Sequence, residues 1–108
     1  MAKKRVSKKK EVKTIDPFEL EGKRLRALVD DFADNLGDNE MLVADGFDAA
    51  IVGITESGEP TVVYDWETCV DILRIRDEMS EEDAIEHMSF NVTGAYVGSR
   101  TPIFIRFV

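Results

Sequence analysis

Ala49-Ala50-Ile51-Val52-Gly53-Ile54-Thr55-Glu56-Ser57-Gly58-Glu59-Pro60-Thr61-Val62-Val63-Tyr64-Asp65 is the stretch that decides the fold. Two short apolar runs, residues 49–55 and 61–64, flank the polar segment Glu56-Ser57-Gly58-Glu59. β-Branched residues are frequent in both runs, and the segment between them has the length and the glycine of a hairpin connection. The pattern predicts two antiparallel strands, with Asp45-Gly46 as the turn signal ahead of the first.

Toward the C-terminus the period changes. Trp66, Cys69, Val70 and Leu73 recur at i, i+3, i+4 and i+7 behind the capping acid Asp65, which predicts a helix to about residue 77. Ser80-Glu81-Glu82-Asp83 is a second helix start, with acids at the positive end of the helix dipole. Ala84, Ile85, Met88, Val92 and Ala95 continue at helical spacing, and Gly98 is placed to end that helix. Thr101-Pro102 then leads into Ile103-Phe104-Ile105-Arg106-Phe107-Val108, a strand by composition. So apolar a strand is expected to pair inside the sheet rather than at its edge.

Toward the N-terminus, Asp16-Pro17-Phe18-Glu19 combines an N-cap acid with proline at the first helical position. Leu25, Leu28, Val29, Phe32 and Leu36 follow at helical spacing, predicting an amphipathic helix over 17–36 that Gly37 ends. The order is α-β-β-α-α-β. It predicts the α+β class, a small three-stranded, mainly antiparallel sheet packed with three helices.

The chain has 108 residues and a formal net charge of −8, but the charge is divided. Residues 1–13 hold seven basic side chains against one acid, a charge of +6, and residues 14–108 hold seven basic side chains against 21 acids, a charge of −14. Residues 1–13 read as a disordered basic tail and residues 14–108 as a single acidic domain. The body repels polyphosphate backbones. The tail, through Lys3, Lys4, Arg5, Lys8, Lys9 and Lys10, suits weak contact with nucleic acid, although no aromatics alternate with its charges to stack on bases. No apolar run approaches the about 20 residues that span a bilayer, and no secretory signal follows the basic start. The expected location is cytoplasmic, and the single cysteine, Cys69, forbids an internal disulfide.

Phe47-Asp48-Ala49-Ala50-Ile51-Val52-Gly53, Val62-Val63-Tyr64-Asp65, Met79-Ser80-Glu81-Glu82-Asp83-Ala84-Ile85-Glu86 and above all Phe90-Asn91-Val92-Thr93-Gly94-Ala95-Tyr96-Val97-Gly98 with Thr101-Pro102 carry a resemblance. Over residues 45–105 the chain resembles a family of small bacteriophage and microbial proteins that share the C-terminal pattern FN-x-x-GAY-x-G-x-x-TP. The resemblance implies a prokaryotic or viral origin, with the host cytoplasm as the location if viral. It assigns no activity.

The chemistry-bearing side chains favour binding over catalysis. His87 is the only histidine and lies beside the apolar face of its helix, with no serine or cysteine motif aimed at it. Cys69 lies on an apolar helix face, where cysteine acts as a small hydrophobe. Asp45 and Asp48 lack the alternation of a calcium loop, and Glu81, Glu82 and Asp83 are explained by helix-start preference. No metal and no cofactor is implied. The glycines of 94–98 end a helix instead of starting one, so the dipole has the wrong sign for a phosphate cradle.

Asn91 falls on or beside the predicted buried stripe, where its amide needs partners. Asp65, Asn91, Tyr96 and Arg100, where helix ends meet strand ends, are the candidate ligand-binding residues. Three uses follow. The first is a non-enzymatic interaction module acting on a host protein or on a second copy of itself. The second is a small ligand-binding domain or enzyme with its site near Asn91, Tyr96 and Arg100. The third is nucleic-acid attachment through the tail.

Overall fold

The computed structural model describes residues 16–108. The basic tail expected at 1–13 lies outside the described residues. Among those described, no helix is long and apolar enough to cross a membrane.

The expected α+β class and element order are present. Helix α1 spans Glu19–Leu36. Asp16 does not cap it directly. Its side chain accepts the Phe18 N–H at 2.8 Å and its carbonyl accepts the Glu19 N–H at 3.2 Å, which forms a turn ahead of the helix. The helix therefore starts two residues after Pro17. Gly37 ends it as expected, in the left-handed region at φ 69°. The Gly37 and Asp38 N–H groups return to the carbonyls of Asp34 and Ala33 at 3.1 and 2.8 Å.

The chain then reaches a 3₁₀ turn at Asp48–Ala50, which takes the first two residues of the predicted strand. Strand β1 is Ile51–Ile54 and β2 is Val62–Asp65, antiparallel across the predicted hairpin. Ile51 faces Tyr64 and Gly53 faces Val63, so Val52 is the extra residue of a β-bulge. Helix α2, Trp66–Ile75, follows at once. Asp65 caps it, accepting the Glu67 N–H at 3.3 Å and the Thr68 hydroxyl at 2.6 Å. Helix α3 is Glu81–His87, capped by Ser80, whose Oγ accepts the Asp83 N–H at 3.1 Å.

Two expectations fail after α3. The helix does not continue to Gly98. It widens into a π-helical turn at Met88–Val92 and ends. Strand β3, Ile103–Ile105, is also shorter than the apolar run, and it lies at an edge. The sheet order is β1-β2-β3, with β3 parallel to β2 in the register Val63–Ile103, Tyr64–Phe104, Asp65–Ile105. A parallel pairing needs a long crossover, and α2, α3 and the π turn supply it. They deliver the chain to the free side of β2, so β2 rather than β3 is the central strand.

The core lies between one face of this sheet and the helices. Ile51, Val62 and Tyr64 from the sheet meet Cys69, Ile72 and Leu73 of α2, Ala84 and Met88 beyond it, and Val29 of α1. Each fully buried aliphatic side chain contributes about 1.5–3 kcal/mol. Tyr64 stacks on Phe104 with ring centroids 5.2 Å apart, and its hydroxyl oxygen accepts the Ala44 N–H at 2.7 Å. Burial pushes the Tyr64 phenol up to about 12.

Candidate functional site

The stretch singled out by its residue pattern, from Phe90 onward, forms the π turn and the loop after it. Met88 is fully buried and anchors the turn. The Thr93 N–H reaches back five residues to the Met88 carbonyl at 2.7 Å, and the Thr93 hydroxyl donates to the same oxygen at 3.0 Å. Gly94 closes the turn by its lack of a side chain. A Cβ there would stand 2.9 Å from the Ser89 carbonyl oxygen, closer than real Cβ contacts allow. π turns of this kind occur often at functional sites.

The consequence is outward display. Phe90 is 74% exposed, an unusual state for a phenylalanine beside a fully buried methionine two positions earlier. Phe90 and Asn91 join Met79, Asp83, Glu86 and His87 around an open groove of about 350 Å³. The Asn91 amide nitrogen lies 3.3 Å from His87 Nδ1, which ties the turn to the end of α3. Asn91 is exposed rather than on the buried stripe, because a turn bonded five residues back holds more residues and rotates it out of phase. On its other side Asn91 borders a second, apolar groove of about 210 Å³ between Phe47, Val92, Val97 and Phe104.

The four sequence-predicted ligand residues are placed differently from one another. Asp65 is committed to capping α2. Tyr96 is 78% exposed. Arg100 is enclosed, its side chain 12% exposed and bonded to Asp38 through both terminal nitrogens, with Nη1 reaching Oδ1 at 3.1 Å. Its Nε and Nη2 also donate to the Pro60 carbonyl at 3.2 and 2.8 Å. Asn91 lines both of the grooves described above. Lys3, Lys4, Arg5, Lys8, Lys9 and Lys10 lie outside the described residues.

Cys69 is fully enclosed, and burial pushes its thiol up to about 12, with the nearby Asp65 carboxylate adding to the shift. A thiol in that state supplies no thiolate near neutral pH. Among the described residues no three His, Cys, Asp or Glu side chains come together as metal ligands.

The electrostatics are one-sided. Six of the seven described basic side chains pair with carboxylates: Lys23 with Glu19, Arg24 with Glu21, Arg26 with Asp30 and Asp48, Arg74 with Asp71, Arg76 with Asp77, and Arg100 with Asp38. The seventh, Arg106, lies 3.9 Å over the Trp66 ring. These pairs engage seven of the 21 acids of residues 16–108, leaving 14 with no basic partner among the described residues. Glu78, Glu81, Glu82, Asp83 and Glu86 of that remainder lie on α3 and its lead-in, beside Phe90.

Phe90 was missed as a candidate, although helical spacing held a signal for its exposure. Ala84 and Met88 define the buried stripe of α3, and Phe90 falls two residues past it. The Asp38–Arg100 pair had no local signal, because 62 residues separate its partners. A comparison with protein-family models, curated proteins and solved structures gives no match for this chain.

Proposed function

We propose that the protein is a non-enzymatic protein-binding module that captures a basic partner on the face formed by α3 and the π turn. The observation that carries this reading is the exposed Phe90 set in one groove with the carboxylates of Asp83 and Glu86. An aromatic anchor ringed by acids suits a partner that offers an aliphatic stem and a cationic head, as lysine and arginine do. The unpaired carboxylates around it raise the encounter rate with a positive surface and disfavour neutral or acidic competitors. The resemblance to small bacteriophage and microbial proteins makes a host protein the partner in this reading, and a nucleic-acid-binding surface is one basic target of that kind.

Titration calorimetry against a Lys/Arg-rich polypeptide at low and high salt tests the proposal. Saturable binding that weakens steeply with salt is the expected result, and heat indistinguishable from dilution at low salt contradicts it. Repeating the titration without residues 1–13 separates the body from the tail. The body-based reading requires that binding persist, whereas attachment of nucleic acid through the tail requires that DNA binding vanish.

A second reading, a small ligand-binding domain or enzyme, is favoured by the apolar groove of about 210 Å³ with the Asn91 amide at its rim. Phe90 does not line that groove, so Phe90→Ala separates the two readings. It weakens capture of the basic partner and leaves a ligand of the second groove unaffected.

A further inference from the structure

We infer that the outer face of α1 is a self-association surface, which seats α1 of a second copy of this chain in an antiparallel, two-fold arrangement. Leu20, Arg24, Leu28, Phe32 and Leu36 follow one another at i, i+4 along this helix. Such a row is the ridge that interdigitates with its equal in the commonest class of helix crossing. Leu20, Leu28 and Leu36 are 82%, 55% and 57% exposed, so the fold of one chain does not consume them. The ridge borders an apolar groove of about 330 Å³ whose walls are Leu25, Leu28 and Phe32 of α1 and Ile51, Val52 and Ile54 of β1. β1 is an edge strand, and Val52 on its bulge is 45% exposed. The bulge blunts that edge against strand addition, which leaves a helix as the fitting occupant.

Charge identifies the helix. The N-terminal half of α1 carries Lys23, Arg24 and Arg26 against Glu19 and Glu21, a net charge of +1, and its C-terminal half carries Asp30, Asp31 and Asp34 with no base, a net charge of −3. Reversed against a copy of itself, the basic half meets the acidic half twice. Aligned in parallel, like charges would meet. Leu28 lies near the midpoint of α1, so a two-fold axis beside it sets Arg24 of one copy near Asp31 of the other, on the same side of the ridge. The present partners of these cations, such as Glu21 for Arg24 at 61% and 51% side-chain exposure, are exposed pairs along one helix. Such pairs contribute little and exchange readily. A foreign partner would not need a face complementary to its own reverse.

Sedimentation equilibrium of the full chain over a wide concentration range tests the inference. The wild-type mass is expected to rise from monomer to twice the monomer as concentration increases. Leu28→Lys sets two cations at the axis and is expected to weaken association at least about tenfold, with its circular dichroism unchanged. Arg24→Glu and Asp31→Arg test the geometry without touching apolar packing. Each alone weakens association, and an equimolar mixture restores it. In the mixed pair the introduced glutamate faces the introduced arginine, while the unaltered Asp31 of one copy still faces the unaltered Arg24 of the other. A wild type that stays monomeric, or a Leu28→Lys chain that associates as well as the wild type, overturns the inference. A mixture no stronger than its components overturns the antiparallel arrangement.

Discussion

α2 and α1 are both amphipathic, and they use their apolar faces in opposite ways. In α2, ten residues long, Cys69, Val70, Ile72 and Leu73 are all at most 6% exposed. In α1, 18 residues long, Val29 alone among the apolar side chains is buried to that degree. The π turn divides in the same manner within five residues, with Met88 inside and Phe90 outside. A three-stranded sheet offers one modest face to its helices. Tyr64, Val62 and Ile51 fill it against α2, and the apolar residues left over on α1 and at Phe90 remain available to partners. The comparison separates residues that hold the fold from residues that serve its surface.

The largest effect expected from this comparison is on the closed side. Leu73→Ala should cost about 2–5 kcal/mol, since it opens a cavity among Ile72, Cys69 and Tyr64. Urea unfolding measures it, and a loss below about 0.5 kcal/mol would mean that the α2 interface is loosely packed.

An intermediate effect is expected where charge replaces apolar burial. Asp38 follows the end of α1, and Arg100 ties it to the segment before β3. The hydrogen bonds from Arg100, aided by the Glu40 N–H, hold the Asp38 carboxyl below the usual carboxylate range. A group lowered in the folded state contributes stability above its unfolded pKa and loses it as pH falls through the folded value. The difference in Tm between wild type and Asp38→Asn should therefore be larger near about pH 7 than near about pH 3. A gap of equal size at both would remove the ion pair from the account of how α1 is held.

The smallest effects on stability belong to the open side. Leu28→Ala and Phe90→Ala should each shift unfolding by about 0.5 kcal/mol or less, the usual range for exposed positions. A cost comparable to that of Leu73→Ala, in the same urea series, would break the division between the two regions.

The parts of this molecule that were legible in its sequence depend on neighbours close along the chain. The Asp65 and Ser80 caps close over two or three residues, Gly37 terminates α1 through the turn just before it, and the hairpin is set by its own loop. The rest depends on distant or single contacts. That β3 lies parallel to β2 at an edge follows from a crossover through α2 and α3, which the composition of 103–108 does not encode. The π turn hangs on the Thr93–Met88 bond and on the space kept by Gly94, so helical spacing carried the expected helix too far and placed Asn91 on or beside the buried stripe. Of the candidate site residues, Asn91 borders the grooves described above, whereas Arg100 is drawn away by a partner 62 positions distant. Phe90 stood in the stretch that marked the sequence, and its role became visible only once the turn that exposes it was known.

The central claim is that Phe90 and the acids beside it, not the apolar face of α1, receive a basic partner. Fluorescence anisotropy of a labelled Lys/Arg-rich peptide, titrated at low salt with wild type, Phe90→Ala and Leu28→Ala, tests it most directly. The account predicts that Phe90→Ala binds about tenfold more weakly or worse and that Leu28→Ala binds as the wild type does. Equal affinity for wild type and Phe90→Ala would contradict it.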